Sequence, residues 1–337
     1  MSEQKITRED IMNMREAMGT LPSQAPKKTY VYKNDISSIK IRMTDWPMNP
    51  YKVICRAVCA TWGDNETGST FKWEKLTPEN RYRCVLACLT NQTLPQAQEA
   101  VNFQFEINGL SRSDFDQHAR ARVGAHFMSI GTRDNNKLDG DFLLYDDVMQ
   151  RTERDPEYKA KVEHWVKITK DLYEDTIKDD NASWQSGRCF LPQSLNHSYV
   201  FGINLIALKG QMARRLMACE QEGIVALHWL MREEVNKVFP FLAQFLKPQC
   251  DGAKKCIYMS GPEGLTAMFS NLFDGCGRWP VVRESDRVYH QFNKSCTSYE
   301  RLKELGIPVL GPTEYKTYGF DTYESLSDSD KALFSQE

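Results

Sequence analysis

Four arginines in two short segments have the chemistry to hold an anionic ligand. Three lie in the range 117–133 and one in the range 204–222: Arg120, Arg122, Arg133 and Arg215. A guanidinium group binds phosphate through two parallel hydrogen bonds and keeps its charge at physiological pH. Gln117 lies three residues before Arg120, so the two side chains would share one face of a helix. Gly124 and Gly131 would let the backbone approach the ligand. This spacing predicts half of an anionic-nucleotide site.

An ordinary surface role is the alternative for these arginines. Three neighbouring carboxylates would neutralise them as ion pairs: Asp114, Asp116 and Asp134. The net charge is only -2 over 337 residues, so the positive charge is local. A nucleic-acid coat or a polybasic membrane anchor needs a large positive excess, and both classes are therefore disfavoured.

Composition indicates a globular protein of one or two domains. The first residues are charged, and no stretch is apolar over the ~18 residues that a membrane span requires. We therefore expect a cytoplasmic protein, in a bacterial or virus-infected cell, with no membrane partner. Ten cysteines spread over a long chain favour reduced thiols over disulfides.

Periodicity predicts the elements that position these side chains. Alternating apolar residues predict strands at 38–44, 101–107 and 199–203, and an extended segment at 125–132. Helical spacing predicts helices at 8–18, 51–62, 77–89, 155–178, 205–217 and 220–246. Ser111 is predicted to cap a helix that carries Gln117, Arg120 and Arg122. The apolar stripe of the helix at 155–178 is predicted to be Val162, Trp165, Val166, Ile168 and Leu172.

The order of these motifs resembles the flavin-dependent thymidylate synthases. The signature of that family is Arg-His-Arg, two residues, Ser, one residue, Asn, two residues, Ser, one residue, Arg-Tyr, and 120–134 is similar with one extra residue before Arg133. Its Arg-x-x-Leu-Pro segment is similar to 188–192, its Asn-Leu-Arg helix to 204–206, and its later arginine and Ala-Gln pair to Arg215 and 220–221. The resemblance covers 38–246 and implies an α/β (α+β) core, with long helices flanking a mixed or antiparallel sheet. Residues 1–37 and 247–337 would be N- and C-terminal extensions.

The resemblance also implies roles for individual residues. Five would hold deoxyuridine monophosphate (dUMP): Gln117, Arg120, Arg133, Arg188 and Arg215. Arg215 would contact the pyrimidine, and Arg133 and Arg188 would contact the phosphate. Three match cofactor positions: Arg122, Asn204 and Gln221. Other positions of the family's motifs have changed. The His, Asn, second Ser and Tyr of the signature are replaced by Ala121, Met128, Gly131 and Asp134, and the Arg of the Asn-Leu-Arg helix is replaced by Ile206. The nucleotide half is kept, whereas the flavin half is rebuilt.

The implied function is one-carbon transfer from methylenetetrahydrofolate to C5 of dUMP or a related pyrimidine nucleotide. With FAD and NADPH, the product would carry a methyl group. If the flavin side is altered, water would add to the exocyclic methylene instead and give a hydroxymethyl group. A hydroxymethylase of this kind would suit a phage that modifies its DNA. Arg215 would polarise the base, and His126 or Asp134 would act as general base or water activator. Their alternatives are a core role for His126 and an ion pair of Asp134 with Arg133. The family implies a homotetramer with shared active sites.

Other functions stay open at this point. A catalytically inactive nucleotide-binding or structural homologue would also lose signature residues. Cys189, beside Arg188, could be a thiolate nucleophile. Four cysteines have the i, i+4 spacing of buried apolar residues: Cys55, Cys59, Cys84 and Cys88. No metal site is predicted, because the later set lacks the paired spacing of zinc sites: Cys250, Cys256, Cys276, His290 and Cys296.

Overall fold

The computed structural model describes residues 13, 32–61, 73–131, 137, 140–179, 182, 184–217, 220–251, 299–310 and 322–336. Its strands are β1 (Tyr32–Asn34), β2 (Lys40–Asp45), β3 (Asn102–Ser111), β4 (Ala125–Ser129), β5 (Phe142–Leu144) and β6 (Asn196–Asn204). Its helices are α1 (Asp35–Ser38), α2 (Pro50–Ala60), α3 (Pro78–Leu89), α4 (Arg112–His118), α5 (Asp146–Arg154), α6 (Pro156–Lys178), α7 (Trp184–Gly187), α8 (Leu205–Arg215), α9 (Glu222–Val238), α10 (Pro240–Ala243), α11 (Tyr299–Glu304) and α12 (Asp328–Ser335). Short 3-10 helices lie at Pro95–Ala100, Arg188–Phe190 and Tyr323–Ser325. No helix within these ranges is long and apolar enough to cross a membrane.

Four of the described strands form an antiparallel sheet in the order β2-β3-β6-β4, and β1 pairs with β5 in parallel. The inner strand β3 buries every second side chain over its first part: Phe103, Phe105 and Ile107. These residues share one hydrophobic core with α2, α3, α8 and α9. The structure therefore confirms the predicted fold, an antiparallel sheet flanked by helices.

The described C-terminal residues pack into this same core. The rings of Phe334 in α12 and Tyr51 in α2 are stacked with centroids 4.5 Å apart. The Tyr51 hydroxyl donates to Asp330 at 2.5 Å, and Arg81 donates to the carbonyl oxygens of Phe334 and Gln336 at 2.8 and 3.0 Å. Residues beyond 246 thus supply core contacts, and the proposed boundaries at 37 and 246 stay predictions.

Most predicted elements are confirmed, but several end elsewhere. The helix predicted at 8–18 lies outside the described residues. β3 continues past its predicted end because Gly109 adopts φ +78°, and a Cβ there would lie 1.9 Å from the carbonyl oxygen of Ser38. The prediction of one continuous helix at 220–246 is wrong, because α9 ends at Val238 and α10 follows at Pro240–Ala243. Phe239 leaves the helical conformation since Pro240 lacks an N–H and its ring disfavours helical geometry at the preceding residue.

The predicted apolar stripe of α6 is only partly buried. Two of its members are buried, Val162 and Val166. The other three are 39% to 43% exposed: Trp165, Ile168 and Leu172. The buried face instead includes Lys170, whose ammonium group donates to the carbonyl oxygen of Gly140. It also includes Tyr173, whose hydroxyl accepts from the N–H of Lys137 at 3.0 Å. Tertiary hydrogen bonds therefore rotate the helix away from the face that hydrophobicity predicts.

Candidate functional site

The helix that opens the candidate site is shorter than predicted. Ser111 caps α4 as expected, because its hydroxyl accepts from the N–H of Asp114 at 3.1 Å. The helix ends at His118 with i to i+3 backbone hydrogen bonds, which tighten the chain at a helix end. Arg120 and Arg122 therefore lie in the following turn, and the prediction that α4 carries them is wrong.

The guanidinium groups of this turn are available to a ligand. Arg120 and Arg122 are exposed, and neither forms an ion pair with any residue that the structure describes. Asp116 pairs with Arg112 instead, with 3.2 Å between Oδ1 and Nε. Asp114 is buried and is held by other groups. The expected neutralisation by these two aspartates is therefore wrong.

Gln117 adds an unused acceptor beside the turn. Its Oε1 atom is buried and has no hydrogen-bond partner within the described ranges. A buried amide oxygen without a donor costs free energy, so most such groups in folded proteins are paired. Gln117 therefore has an acceptor that a ligand donor would satisfy if a local movement opened the turn.

Arg215 lies at the C-terminus of α8 and is paired. Its Nη1 atom donates to the carboxylate of Glu220, and both side chains are 25% exposed. A guanidinium group carries five N–H donors, so one ion pair does not saturate it. Glu220 therefore orients Arg215 and leaves it donors for a ligand.

Two buried histidines lie near Arg215, and the sequence pattern does not indicate them. Nδ1 of His118 is 2.7 Å from the Tyr199 hydroxyl, and the Nε2 atoms of His118 and His228 are 3.3 and 3.4 Å from Oε1 of Gln211. Burial lowers the pKa of His118 well below its usual value and that of His228 to about 3, and the charge of Arg215 adds to both shifts. Both imidazoles are therefore neutral. The i, i+4 spacing of Gln211 and Arg215 on α8 is the signal that could have found this network.

Gln221 is predicted to contact a cofactor, but its side-chain amide donates hydrogen bonds within the protein. Its Nε2 atom donates to Oδ1 of Asp114 at 2.5 Å and also to the hydroxyl of Tyr145. The Ser111 hydroxyl donates to Oδ2 of Asp114 at 2.6 Å. Gly223 closes over this carboxylate, because a Cβ there would lie 2.4 Å from Oδ2. Burial raises the pKa of Asp114 to about 6. The network fastens the start of α9 to α4.

His126 and Asn204 lie on neighbouring strands at the edge of the sheet. His126 pairs with Gly202 and is exposed, so a buried core role is wrong. Its imidazole lies over Gly202, where a Cβ would come within 1.9 Å of Cε1. Asn204 caps α8, its Oδ1 accepting from the N–H of Ala207 at 2.9 Å. Gly124, with φ +67°, approaches so closely that a Cβ would lie 2.6 Å from Nδ2 of Asn204.

The remaining predicted site residues do not lie beside Arg120 and Arg122 in the described part of the chain. Arg188 and Cys189 are exposed in a 3-10 helix, and the described contacts do not join Arg188 to Arg120 or Arg215. The following segment is tied to α4, since the N–H of Ser113 donates to the carbonyl oxygen of Gln193 at 3.0 Å. Two predicted site residues lie outside the described ranges: Arg133 and Asp134. Of the later cysteine and histidine set, the structure describes only the buried Cys250.

Comparisons with known proteins place this chain in a family. The sequence profile of the family described as "Thymidylate synthase complementing protein" matches residues 42–241. A flavin-dependent thymidylate synthase from Sulfurisphaera tokodaii is 31% identical over 150 residues, which cover 44% of this chain and 55% of that protein. The chain thus spans about half the length of this curated relative.

Two solved structures are also similar. They show a UMP/dUMP methylase, PolB from Streptomyces cacaoi, bound with 5-Br dUMP and with 5-Br UMP. Their TM-scores are 0.49 and 0.47 at 11% and 12% identity, covering 64% of this chain and 96% and 95% of the methylase chains. The family profile alone covers more than half of the present chain. The chain belongs to the thymidylate synthase complementing protein family.

Proposed function

We propose that this chain is a transferase that adds a one-carbon unit from methylenetetrahydrofolate to C5 of dUMP. The observation that carries the proposal is the polar turn at residues 117–122, where two exposed guanidinium groups lie beside a buried amide oxygen that has no partner within the described ranges. Asp116 and Asp114 are engaged by Arg112 and Ser111. Family membership and the name of the Sulfurisphaera relative support the same substrate class.

In this proposal, the protein's own residues bind and polarise the nucleotide. Arg120 binds the anionic substrate, and Gln117 accepts a hydrogen bond from a base N–H. Arg215, oriented by Glu220, donates to a base carbonyl oxygen and stabilises negative charge that develops in the ring. A carbon–carbon bond then forms between C5 and the methylene carbon as one carbon–nitrogen bond of the folate opens. The C5 proton leaves to a general base, and the second carbon–nitrogen bond breaks to release tetrahydrofolate. Exposed His126 is the described candidate for that base.

Of the three residues predicted for a flavin, Arg122 fits best. Its Nε atom donates to the carbonyl oxygen of Ala119 at 3.0 Å, and the exposed guanidinium would hold the diphosphate of a flavin dinucleotide. Asn204 uses its oxygen in a helix cap, and Gln221 uses its amide on Asp114. A bound flavin supplies the hydride that makes the product a methyl group, with NADPH as the reductant. Without that hydride, water completes the reaction and gives a hydroxymethyl nucleotide.

The proposed assembly is a homotetramer in which sites are shared between subunits. Arg188 is exposed and stands apart from Arg120 and Arg215 within the described part of one chain. In the tetramer it would bind the phosphate at a neighbour's site.

The test is to incubate the purified protein with dUMP and methylenetetrahydrofolate, with and without FAD and NADPH, and to identify products by mass spectrometry. A methyl product that requires FAD and NADPH supports flavin-dependent thymidylate synthesis. A hydroxymethyl product without NADPH supports transfer to water. Tight binding of dUMP without product from any pyrimidine nucleotide would favour the inactive nucleotide-binding homologue.

A further inference from the structure

Three thiols from two helices converge inside the core, and none of them is assigned to the nucleotide. Cys55 and Cys59 lie one turn apart on α2, and Cys84 lies on α3. Their Sγ atoms all lie within 4.8 Å of one another, with 3.9 Å between Cys55 and Cys59. The first two are buried, and Cys84 is partly buried. The i, i+4 spacing explains burial, but it does not explain why a third thiol from another helix meets the pair.

The spacing of the three sulfur atoms matches trigonal metal coordination. A central ion about 2.3 Å from three coplanar sulfur atoms holds them about 4.0 Å apart. The Sγ atoms of Cys55 and Cys59 are 3.9 Å apart, and no separation in the group exceeds 4.8 Å. Both helices are fixed by the main hydrophobic core rather than by loops. A small change of side-chain torsion at Cys84 would therefore close the triangle around an ion.

The donor set selects a soft ion. Within the part of the chain that the structure describes, no histidine, carboxylate or fourth cysteine joins the group. Structural zinc sites use four donors, whereas a set of thiolates alone suits Cu(I). We propose that Cys55, Cys59 and Cys84 form a three-thiolate site for a soft, thiophilic metal ion of the Cu(I) class.

Accessibility indicates which thiol meets the ion first. Cys84 is partly buried whereas Cys55 and Cys59 are buried, so Cys84 would bind the ion first.

The test uses the full-length reduced protein under anaerobic conditions. Cu(I) is titrated in competition with the chromogenic chelator bicinchoninate, and X-ray absorption counts the sulfur neighbours of the bound ion. We expect one Cu(I) per chain with three sulfur neighbours at about 2.3 Å. Zn(II) is titrated separately, and we expect it to bind at least 100-fold more weakly.

The matched variants are Cys84→Ser and Cys88→Ser, which change two cysteines one turn apart on α3. We expect Cys84→Ser to weaken Cu(I) binding at least 100-fold and Cys88→Ser to leave it unchanged, with circular dichroism confirming that both fold. Equal binding by the two variants would overturn the proposal. If Cys84→Ser does not fold, the wild-type sulfur count decides: two sulfur neighbours, nitrogen or oxygen neighbours, or preferential Zn(II) binding would each overturn the assignment.

Discussion

The buried carboxyl group of Asp114 makes folding stability depend on pH in a defined direction. Burial raises its pKa to about 6 from a usual value of 3.8, so the folded state keeps a proton that the unfolded chain releases. The stabilisation is fully present below pH 3.8 and is lost as pH rises through 6. A shift of about two units corresponds to ~3 kcal/mol, of which ~2 kcal/mol is lost between pH 4.5 and 7.5. Asp114→Asn removes this titration and keeps an oxygen acceptor for Gln221.

The stability of Asp114→Asn relative to wild type should therefore increase by ~2 kcal/mol between pH 4.5 and 7.5. Urea unfolding at several pH values measures this difference, because titrating groups remote from residue 114 contribute equally to both proteins. Asp116→Asn is the matched control, since Asp116 lies on the same helix, is 44% exposed and pairs with Arg112. The reasoning is refuted if the pH dependence of Asp114→Asn is the same as that of wild type and of Asp116→Asn.

Three further predictions test the site and the core. Arg120→Ala should weaken dUMP binding roughly 10- to 100-fold in isothermal titration calorimetry, because it removes a charge-assisted hydrogen bond from an exposed side chain. Gly202→Ala should displace the imidazole of His126 and lower kcat with little change in dUMP affinity, and an unchanged kcat in a product assay would count against His126 as the base. Phe334→Ala should lower the free energy of unfolding in urea by ~3–5 kcal/mol, because the side chain is fully buried. Phe190→Ala, at a ring that is 39% exposed, should cost less than ~1 kcal/mol in the same measurement.

Local signals predict where elements begin better than where they end. Ser111 caps the helix it is expected to cap, and the helices predicted to begin at Thr77 and Asp155 are capped by those residues. A cap depends on a side chain and a backbone N–H a few residues away. The end of α4 has no comparable signal. His118 is drawn into the core by Tyr199, which lies 81 residues further along the chain. Tertiary contacts of this kind override helical periodicity.

The same distinction separates the predicted and the unexpected parts of the site. Gln117 and Arg120 are identifiable because their types and spacing belong to one short segment. The contact of Gln221 with Asp114 joins residues 107 apart, and its Tyr145 partner has no motif around it. Residue type alone therefore suggests a ligand contact for Gln221, whereas the fold uses that amide to satisfy a buried carboxylate.

The charge of Arg215 is balanced on one side only, and this asymmetry suits it to polarise a substrate. Glu220 is its paired carboxylate. The nearby groups of the buried network are a carboxamide and two imidazoles that burial keeps neutral: Gln211, His118 and His228. Protonation of either imidazole would place a like charge beside Arg215, and their lowered pKa values prevent it across the pH range in which free histidine titrates. In the proposed reaction, these histidines would therefore act by staying neutral, which preserves Arg215 as a fixed cation for the charge that develops on the base.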